Sequence, residues 1–350
     1  MPKMPPDFPP SPLRLSIDTP ALAANWRVLD RLSGTARAGA AVKANAYGIG
    51  VGIAVPALHK AGCRDFFVAH WREAAEILPL ADPASIRVLH GPLTAADTAF
   101  ARATGVRPVI NSVAQARLWL EAGGGPCDLM VDTGMNRLGL GLTDFGDENV
   151  SRLEIETLHS HLASADEDCA LNAMQLARWR EARAMLRHCR ASLANSAGIM
   201  LGPDYHGDLT RPGLALYGGI PRPELADAIR QVASPMAAIM QVRTIEAGES
   251  IGYNATFTAS RPMRVGTIAL GYADGYLRCW SDRGVMTADG HDLPVLGRVS
   301  MDMTVIDLGA APHLREGDWV SAAYSLPEAA ARSGLSQYEL LTLLGRRFAR

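Results

Sequence analysis

From residue 13 to about residue 220, short apolar segments alternate with amphipathic helical segments such as Arg72–Leu78 and Val113–Ala122. Eight strand candidates fall in this region: Ala40–Lys43, Phe66–Ala69, Arg87–Leu89, Pro108–Ile110, Leu129–Asp132, Ile155–Ser160, Ser192–Ala194 and Leu214–Leu216. Strand–helix alternation repeated eight times predicts an α/β fold with an N-terminal (β/α)8 barrel of the TIM type. A doubly wound open sheet is the alternative, but no GxGxxG motif follows the first strand.

Beyond about residue 235 the pattern becomes that of a mostly β domain. Apolar alternation continues, with Gly, Pro and Asp at the turns, in Ala238–Ile245, Arg264–Leu270, Leu293–Val299 and Met303–Leu308. Long helical patterns do not return until Gln337–Arg347. We therefore predict a loose proline-rich tail at 1–12, the barrel at 13–235 and a β-rich C-terminal domain at 236–350.

Charge and apolar patterning argue against several classes of partner. The 34 basic and 36 acidic residues give a net charge of −2, which offers no support for nucleic-acid binding. The N-terminus has no apolar signal core, and Lys43, Asn45 and several glycines interrupt the apolar stretch Ala40–Leu58. Five scattered cysteines without a CxxC pair favour neither a disulfide framework nor a metal site. We expect a cytoplasmic protein with no membrane partner and no bound metal.

Lysine is almost absent from this sequence, so the position of each one is informative. Of 34 basic residues only Lys3, Lys43 and Lys60 are lysines, and Lys43 ends an apolar strand. Functional groups of a barrel collect at the C-terminal ends of its strands. A partly desolvated amine there loses its charge more readily and can condense with an aldehyde cofactor, such as pyridoxal phosphate. On this pattern alone, a structural lysine that reaches solvent is the alternative.

The other predicted strand ends carry polar groups suited to an anion. They are the segment 132–137, His159 to His161, Asn195 and Ser196, and Arg211 with the segment 217–219. Ser196 and Gly213 can supply a hydroxyl and a backbone N–H to a phosphate. Arg211 is a candidate partner for a pyridine nitrogen, and we interpret His159 as a satisfied core histidine.

Ordered motifs along the chain resemble those of the alanine racemases, which are fold-type III pyridoxal phosphate enzymes. AVKANAYGIG around Lys43 resembles the cofactor-attachment motif of that family. Further blocks follow in the family's order: DTGMNRLG (132–139), SHLASAD (160–166), NSAG (195–198), RPGLALYGG (211–219), IGYNATFTA (251–259), GYADGY (271–276), GRVSMDMT (297–304) and the closing QYELLTLLGRRFAR. The resemblance covers residues 13–350 and implies the same barrel followed by a β domain.

The resemblance implies a two-base racemisation of alanine in a head-to-tail homodimer with shared active sites. Lys43 would hold pyridoxal phosphate and act as one catalytic base, and Tyr253 of the other subunit would be the second base. His161 would link Arg211 to Tyr253. The D-alanine formed would supply peptidoglycan.

The resemblance also implies which residues bind the cofactor and the substrate. The phosphate would be held by Tyr47, Ser196, Gly213, the backbone of Leu214 and Tyr338. Arg211 would face the pyridine nitrogen. The substrate carboxylate would contact Arg137 and the backbone of Met301, with Asn195 and Asp302 in supporting positions.

One position departs from the family pattern. Many members carry a carbamylated lysine seven residues before the arginine of the DTGM block, and this chain has Met130 there. A charge-assisted partner for Arg137 is therefore missing. A racemase of serine or of a broader range of amino acids, another barrel-type pyridoxal phosphate enzyme, and a non-catalytic pyridoxal phosphate carrier barrel are the alternatives. Carrier barrels lack the second β domain and its tyrosine, both of which this chain has.

Overall fold

The computed structural model describes residues 9–350, which form two compact units. One unit is Thr19–Arg230, and the other joins the segment that ends at Asp18 to Gln231–Arg350. This division differs from the predicted barrel at 13–235, because residues 13–18 and 231–235 lie in the other unit. The strand Leu13–Ile17 belongs with the C-terminal unit because it pairs antiparallel with Ala233–Ile245, from Leu13 opposite Ala237 to Ile17 opposite Ala233.

The predicted loose tail at 1–12 lies largely outside the described residues, and its last part is held in place. Ser11 Oγ donates a hydrogen bond to the carbonyl of Arg347 (2.8 Å). The carbonyl of Pro12 accepts from the N–H of Ala238 (2.9 Å). The second bond extends the pairing of the first strand with Ala233–Ile245 by one residue.

The strands are, in chain order, β1 (Leu13–Ile17), β2 (Arg37–Ala38), β3 (Ala40–Ala41), β4 (Phe66–Val68), β5 (Ile86–Val88), β6 (Arg107–Ile110), β7 (Pro126–Met130), β8 (Glu154–His159), β9 (Arg190–Ser192), β10 (Leu209–Thr210), β11 (Ala233–Ile245), β12 (Ser250–Ile251), β13 (Phe257–Thr258), β14 (Met263–Ile268), β15 (Val285–Ala288), β16 (His291–Leu296), β17 (Thr304–Asp307) and β18 (Trp319–Ala322). The helices are α1 (Thr19–Leu32), α2 (Lys43–Tyr47), α3 (Val51–Ala61), α4 (Trp71–Ile77), α5 (Ala95–Thr104), α6 (Val113–Glu121), α7 (Glu148–Ser151), α8 (Ala170–Met185), α9 (Leu326–Ser333) and α10 (Gln337–Thr342). Within residues 9–350, no helix has the length and apolar character needed to cross a membrane.

The first unit is the predicted parallel barrel. Strands β3 to β9 form one parallel sheet in chain order. The short strand β10 pairs in parallel with β2, and the N–H of Arg211 donates to the carbonyl of Ala194 (2.8 Å). The N–H groups of Gly39 and Ala41 donate to the carbonyls of Thr210 and Pro212, both at 2.9 Å. These bonds close the ring at the eighth position.

The predicted eighth strand, Leu214–Leu216, is wrong. Leu214–Tyr217 forms a short 3₁₀ turn, and the eighth position belongs to β10. Pro212 has no N–H to continue a ladder, and Gly213 turns the backbone at φ −130°, ψ −88°. The strand therefore ends before the apolar run LALY begins at Leu214.

Local capping residues fix where the barrel helices begin. Thr94 and Asp97 form a capping box at the start of α5, and the side chain of Ser112 accepts from the N–H of Gln115 in α6. Gly105, at φ 82°, ends α5 in the left-handed conformation. Each of the two side-chain caps at the helix starts, Thr94 and Ser112, stabilises its helix by about 1 kcal/mol.

The second unit is a closed antiparallel sheet, in agreement with the predicted β-rich domain. Its strand order is β1-β11-β14-β17-β16-β15-β18, and β18 also pairs with β11. Two short helices follow. Helix α9 is not predicted, and α10 ends at Thr342 rather than at Arg347. Pro327 in the first turn and Gly334 at φ 76° mark the ends of α9, which is too short for a strong periodic signal.

Candidate active site

Lys43 lies at the C-terminal end of the first barrel strand, directly before a left-handed turn. The N–H of Val42 donates to the carbonyl of Phe67 (2.8 Å) and holds the strand end in the barrel. Ala44, Asn45, Ala46 and Tyr47 then all have positive φ, between 53° and 55°. Such a conformation costs L-residues about 1–2 kcal/mol each. A run of four residues in it requires support from neighbouring groups.

Glu73 of α4 provides that support, and sequence analysis did not identify it. Its Oε1 accepts from the N–H of Ala44 and its Oε2 accepts from the N–H of Ala69, both at 2.7 Å. The side chain is 12% exposed. The sequence does not indicate that a glutamate early in an amphipathic helix supports this turn, because the support depends on the turn after Lys43 lying close to α4 in the folded barrel.

The amine of Lys43 is in a cationic environment. Burial lowers the pKa of Lys43, the charge of Arg137 lowers it further, Glu73 opposes this, and Arg211 contributes a smaller lowering. The neutral amine is therefore available at lower pH than in a solvent-exposed lysine. Only the neutral amine can add to a carbonyl.

Four residues predicted to bind a phosphate lie together in this unit. The Oγ of Ser196 accepts from the N–H groups of Gly213 (2.9 Å) and Ala215 (3.3 Å), on either side of Leu214 at the start of the 3₁₀ turn. The ring of Tyr47 stacks on Tyr217 with centroids 4.7 Å apart. A Cβ at position 213 would lie 2.3 Å from the Tyr47 hydroxyl, so only glycine fits there. This group of hydroxyl and N–H donors fits the phosphate of pyridoxal phosphate.

Asn195 shapes the turn that carries Ser196. Its Oδ1 accepts from the N–H of Gly198 (2.8 Å), and its backbone forms a parallel bridge with Arg211. Asn195 thus connects the predicted phosphate-binding turn to the strand that carries the predicted partner of the pyridine nitrogen.

Arg211 is buried, and backbone and side-chain acceptors hold two of its guanidinium nitrogens. One terminal nitrogen (Nη1) donates to the carbonyl of Ser192 (2.8 Å) and to its Oγ (2.5 Å), and the other (Nη2) donates to the carbonyl of Ser160. Burial lowers the pKa of Arg211 to about 10, with Asp128 opposing the effect. Arg211 therefore remains charged at neutral pH. Its Nε donates to no atom within residues 9–350.

His161 lies beside Arg211, as the predicted relay requires. Its Nδ1 is 3.4 Å from Arg211 Nη2. Burial and the charges of Arg211, Arg137 and Lys43 lower the pKa of His161 to about 3. The imidazole is therefore neutral and accepts from Arg211 through Nδ1, which places its proton on Nε2.

His159 also contacts Arg211, a contact that sequence analysis did not anticipate. It is fully buried, with Nδ1 3.4 Å from Arg211 Nη1 and Nε2 2.8 Å from Asp128 Oδ2. Burial lowers the pKa of His159 to about 4 against the opposing effect of Asp128. Although burial alone would raise it, Arg87 and His159 lower the pKa of Asp128 to about 2. The signal for this pair was an aspartate inside the apolar strand PCDLM, because a buried carboxylate needs a partner.

The loop that carries Arg137 is folded around one carboxylate oxygen. Asp132 Oδ1 accepts from the N–H groups of Gly134, Met135 and Asn136 at 2.8, 2.9 and 3.1 Å. Arg137 is exposed, and no hydrogen bond joins it to another of the residues 9–350. Met130, in the position of the family's modified lysine, is buried and offers no charge.

The predicted site residues of the C-terminal unit lie on its surface. Tyr253 is 68% exposed, Met301 53% and Tyr338 47%. The carbonyl of Met301 accepts from the N–H of Ala273 (3.0 Å), and Asp302 Oδ1 accepts from Arg347 Nη1 (2.7 Å).

Comparisons with known proteins match the chain along nearly its whole length. Family models for the N-terminal and C-terminal domains of alanine racemase match residues 17–221 and 232–350. A curated alanine racemase from Methylobacterium nodulans is 42% identical, over 96% of this chain and 95% of that protein.

Solved structures agree with this match. The alanine racemase of Bartonella henselae, with covalently bound pyridoxal phosphate, is 35% identical with a TM-score of 0.89, over 98% of this chain and 99% of that one. The biosynthetic alanine racemase of Pseudomonas aeruginosa is 36% identical with a TM-score of 0.88, over 97% and 99%. The chain therefore belongs to the alanine racemase family.

Proposed function

We propose that this protein is an alanine racemase that uses pyridoxal phosphate to interconvert L-alanine and D-alanine. The observation that carries the proposal is a lysine amine of lowered pKa at the end of the first barrel strand, in a unit that also presents the Ser196–Gly213 donor group and a buried arginine. The bound cofactor supplies an electron sink for the electrons left at the α-carbon when its proton is removed.

Racemisation requires that a proton leave one face of the α-carbon and return to the other. We assign Lys43 as the base on one face, because the lowered pKa of its amine favours the neutral form that can accept a proton. Tyr253 of the partner subunit is the base on the opposite face. Two fixed bases make reorientation of the substrate unnecessary.

A tyrosine with a pKa near ~10 needs help to act as a base. His161 provides it, because its Nδ1 faces Arg211 and its Nε2 has no hydrogen-bond partner within residues 9–350. The Nε2–H donates to the Tyr253 oxygen and favours the phenolate, with the charge of Arg211 behind it.

The remaining assignments concern binding. Tyr47, Ser196, Gly213, Leu214 and Tyr338 hold the phosphate, and Arg137 with the backbone of Met301 binds the substrate carboxylate. Asn195 and Asp302 keep neighbouring segments in place. Arg211 stays protonated and therefore leaves the pyridine nitrogen unprotonated, which weakens the electron sink and limits transamination.

We further propose a homodimer in which each site combines the barrel of one subunit with Tyr253 of the partner subunit, in the cytoplasm, making D-alanine for peptidoglycan. The exposure of Tyr253 and Met301 supports an interface on the C-terminal unit. Mixing Lys43→Ala with Tyr253→Phe protein tests this arrangement, because a mixed dimer has one site with both bases. If the mixture recovers activity after subunit exchange, the active sites are shared between subunits. If exchange is shown to occur and the mixture stays inactive, the sites are not shared.

The function is tested by incubating the purified protein with L-alanine in deuterated water. We expect D-alanine with deuterium at the α-carbon, and an absorbance band of lysine-linked cofactor that borohydride removes. Lys43→Ala should abolish the band and the activity, whereas Tyr253→Phe should keep the band and lose interconversion. The same protein with serine tests a broader specificity, and cofactor absorbance without α-proton exchange for any amino acid would indicate a carrier.

A further inference from the structure

Beneath Arg211, the barrel contains a chain of buried charged groups that the two-base mechanism does not use. Asp128 Oδ2 accepts from Arg87 Nε (3.0 Å) and lies 2.8 Å from His159 Nε2. Arg87 continues to Asp65 (2.8 Å between Nη2 and Oδ1), and Arg190 also contacts Asp65 (3.2 Å). Positive and negative groups alternate from Arg190 to Asp128, and the neutral His159 joins Asp128 to Arg211.

The tautomer of His159 follows from its neighbours. The ionised Asp128 has only acceptor atoms, so the 2.8 Å contact places the imidazole proton on Nε2. The Nδ1 lone pair then faces Arg211 Nη1 at 3.4 Å and accepts from it. A carboxylate that fixes the tautomer of a histidine, which in turn orients a third group, is a common arrangement in active sites.

The two histidines lie at different nitrogens of the same guanidinium. His159 faces Nη1, and His161 faces Nη2. Together with the carbonyls of Ser192 and Ser160, they fix the plane of the group and leave Nε as the nitrogen with no partner among the residues described. A planar group held on two sides can present its third side in one direction only.

We propose that His159 and Asp128 are positioning residues for Arg211, fixing the direction in which its Nε–H points toward the pyridine nitrogen of the cofactor. The inference rests on the proposed function for the identity of the cofactor. Asp128 contacts His159 and not Arg211, so its hydrogen bond positions Arg211 through His159, and neither residue touches the substrate. If the guanidinium turned away, the pyridine nitrogen would be open to solvent and could take up a proton from it. The ratio of transamination to racemisation then rises.

The test compares His159→Leu, which removes both contacts, with His159→Gln, which keeps an acceptor toward Arg211 and a donor toward Asp128. Each holoenzyme is loaded with pyridoxal phosphate labelled with ¹⁵N in the ring, and the nitrogen shift reports its protonation. We expect an unprotonated nitrogen in the wild type and in His159→Gln, and a protonated fraction in His159→Leu. In His159→Leu, transamination should rise about tenfold relative to racemisation, because the loss of one hydrogen bond to a charged group corresponds to a factor of about this size. Transamination is followed as the pyruvate released when alanine gives its amino group to the cofactor.

A wild-type measurement keeps the proposal testable if His159→Leu does not fold. The ¹⁵N shifts of the His159 ring should show Nε2 protonated and Nδ1 unprotonated, and the opposite tautomer overturns the proposal. An unprotonated cofactor nitrogen and an unchanged pyruvate ratio in folded His159→Leu would also overturn it. Failure of the proposed function is distinguishable, because the wild type itself would then show no α-proton exchange with alanine.

Discussion

The left-handed turn after Lys43 depends on Glu73, and its removal has a calculable effect. At about 1–2 kcal/mol per residue, the four residues Ala44–Tyr47 store about 4–8 kcal/mol of unfavourable backbone energy. A hydrogen bond to a charged group contributes about 1.5–3 kcal/mol, so the two bonds of Glu73 supply about 3–6 kcal/mol. The carboxylate therefore offsets most of the cost of the turn.

Glu73→Gln leaves one neutral acceptor in place of two charged ones. We expect the turn to lose about 1.5–3 kcal/mol, so that its opened form becomes about ten- to hundredfold more populated. Amide hydrogen exchange of the peptide that spans Lys43 to Gly50 measures this directly, and Glu73→Ala should exchange faster still. Glu76→Ala is the matched control, because Glu76 lies exposed on the same helix.

The reasoning is refuted if, in folded Glu73→Ala, the amide hydrogens of the Lys43–Gly50 peptide exchange at the wild-type rate. Faster exchange in the Glu76→Ala control as well would show a loss of α4 rather than of the two bonds. The same variants should hold pyridoxal phosphate less tightly, because Lys43 and Tyr47 lie at the two ends of the turn.

Three further predictions follow from the site. Gly213→Ala should weaken cofactor affinity at least about tenfold, because the new Cβ would lie 2.3 Å from the Tyr47 hydroxyl and displace a stacked ring. Fluorescence titration with pyridoxal phosphate measures this affinity, and a variant that binds as tightly as the wild type contradicts the prediction. Asp132→Ala should raise KM for alanine with little effect on cofactor affinity, because three N–H groups in the loop before Arg137 lose their acceptor. An unchanged KM would show that this loop does not position Arg137 for the substrate carboxylate. The free energy of unfolding should fall as pH drops from about 6.5 toward 4, because His159 and His161 stay neutral in the folded protein but bind protons in the unfolded chain. The expected fall is up to about 1.4 kcal/mol per pH unit for each histidine. Urea unfolding at pH 7 and pH 5 should show a smaller loss in His161→Gln than in the wild type, and equal losses would contradict the assigned protonation.

The sequence was sufficient for the architecture and the family, because both depend on local patterns. The alternation of strands and helices predicted a barrel followed by a β domain, and the ordered motifs predicted the family, as the comparisons confirm. The eighth strand was placed wrongly at Leu214–Leu216 because an apolar run can be a buried turn as well as a strand. The partner of β1 could not be predicted, since periodicity gives a strand no information about which sheet it joins.

Within the barrel, the residues brought together were those that stood at strand ends. Lys43, Ser196, Arg211 and His161 could be chosen because parallel strands of a barrel end at one rim. Glu73 and Asp128 could not, because their functions arise from contacts across the fold. Glu73 reaches the N–H of Ala44, 29 positions earlier, and Asp128 reaches His159, 31 positions later.

The pairing of β1 with β11 also has a consequence for synthesis on the ribosome. Leu13–Ile17 leaves the ribosome before Thr19–Arg230, but its partners at 233–237 emerge only after the whole of that unit. The barrel unit can fold during this interval, whereas the first strand waits with an unpaired edge. Deletion of Leu13–Ile17 should therefore impair the maturation of the unit formed by Gln231–Arg350, which follows the barrel in the sequence.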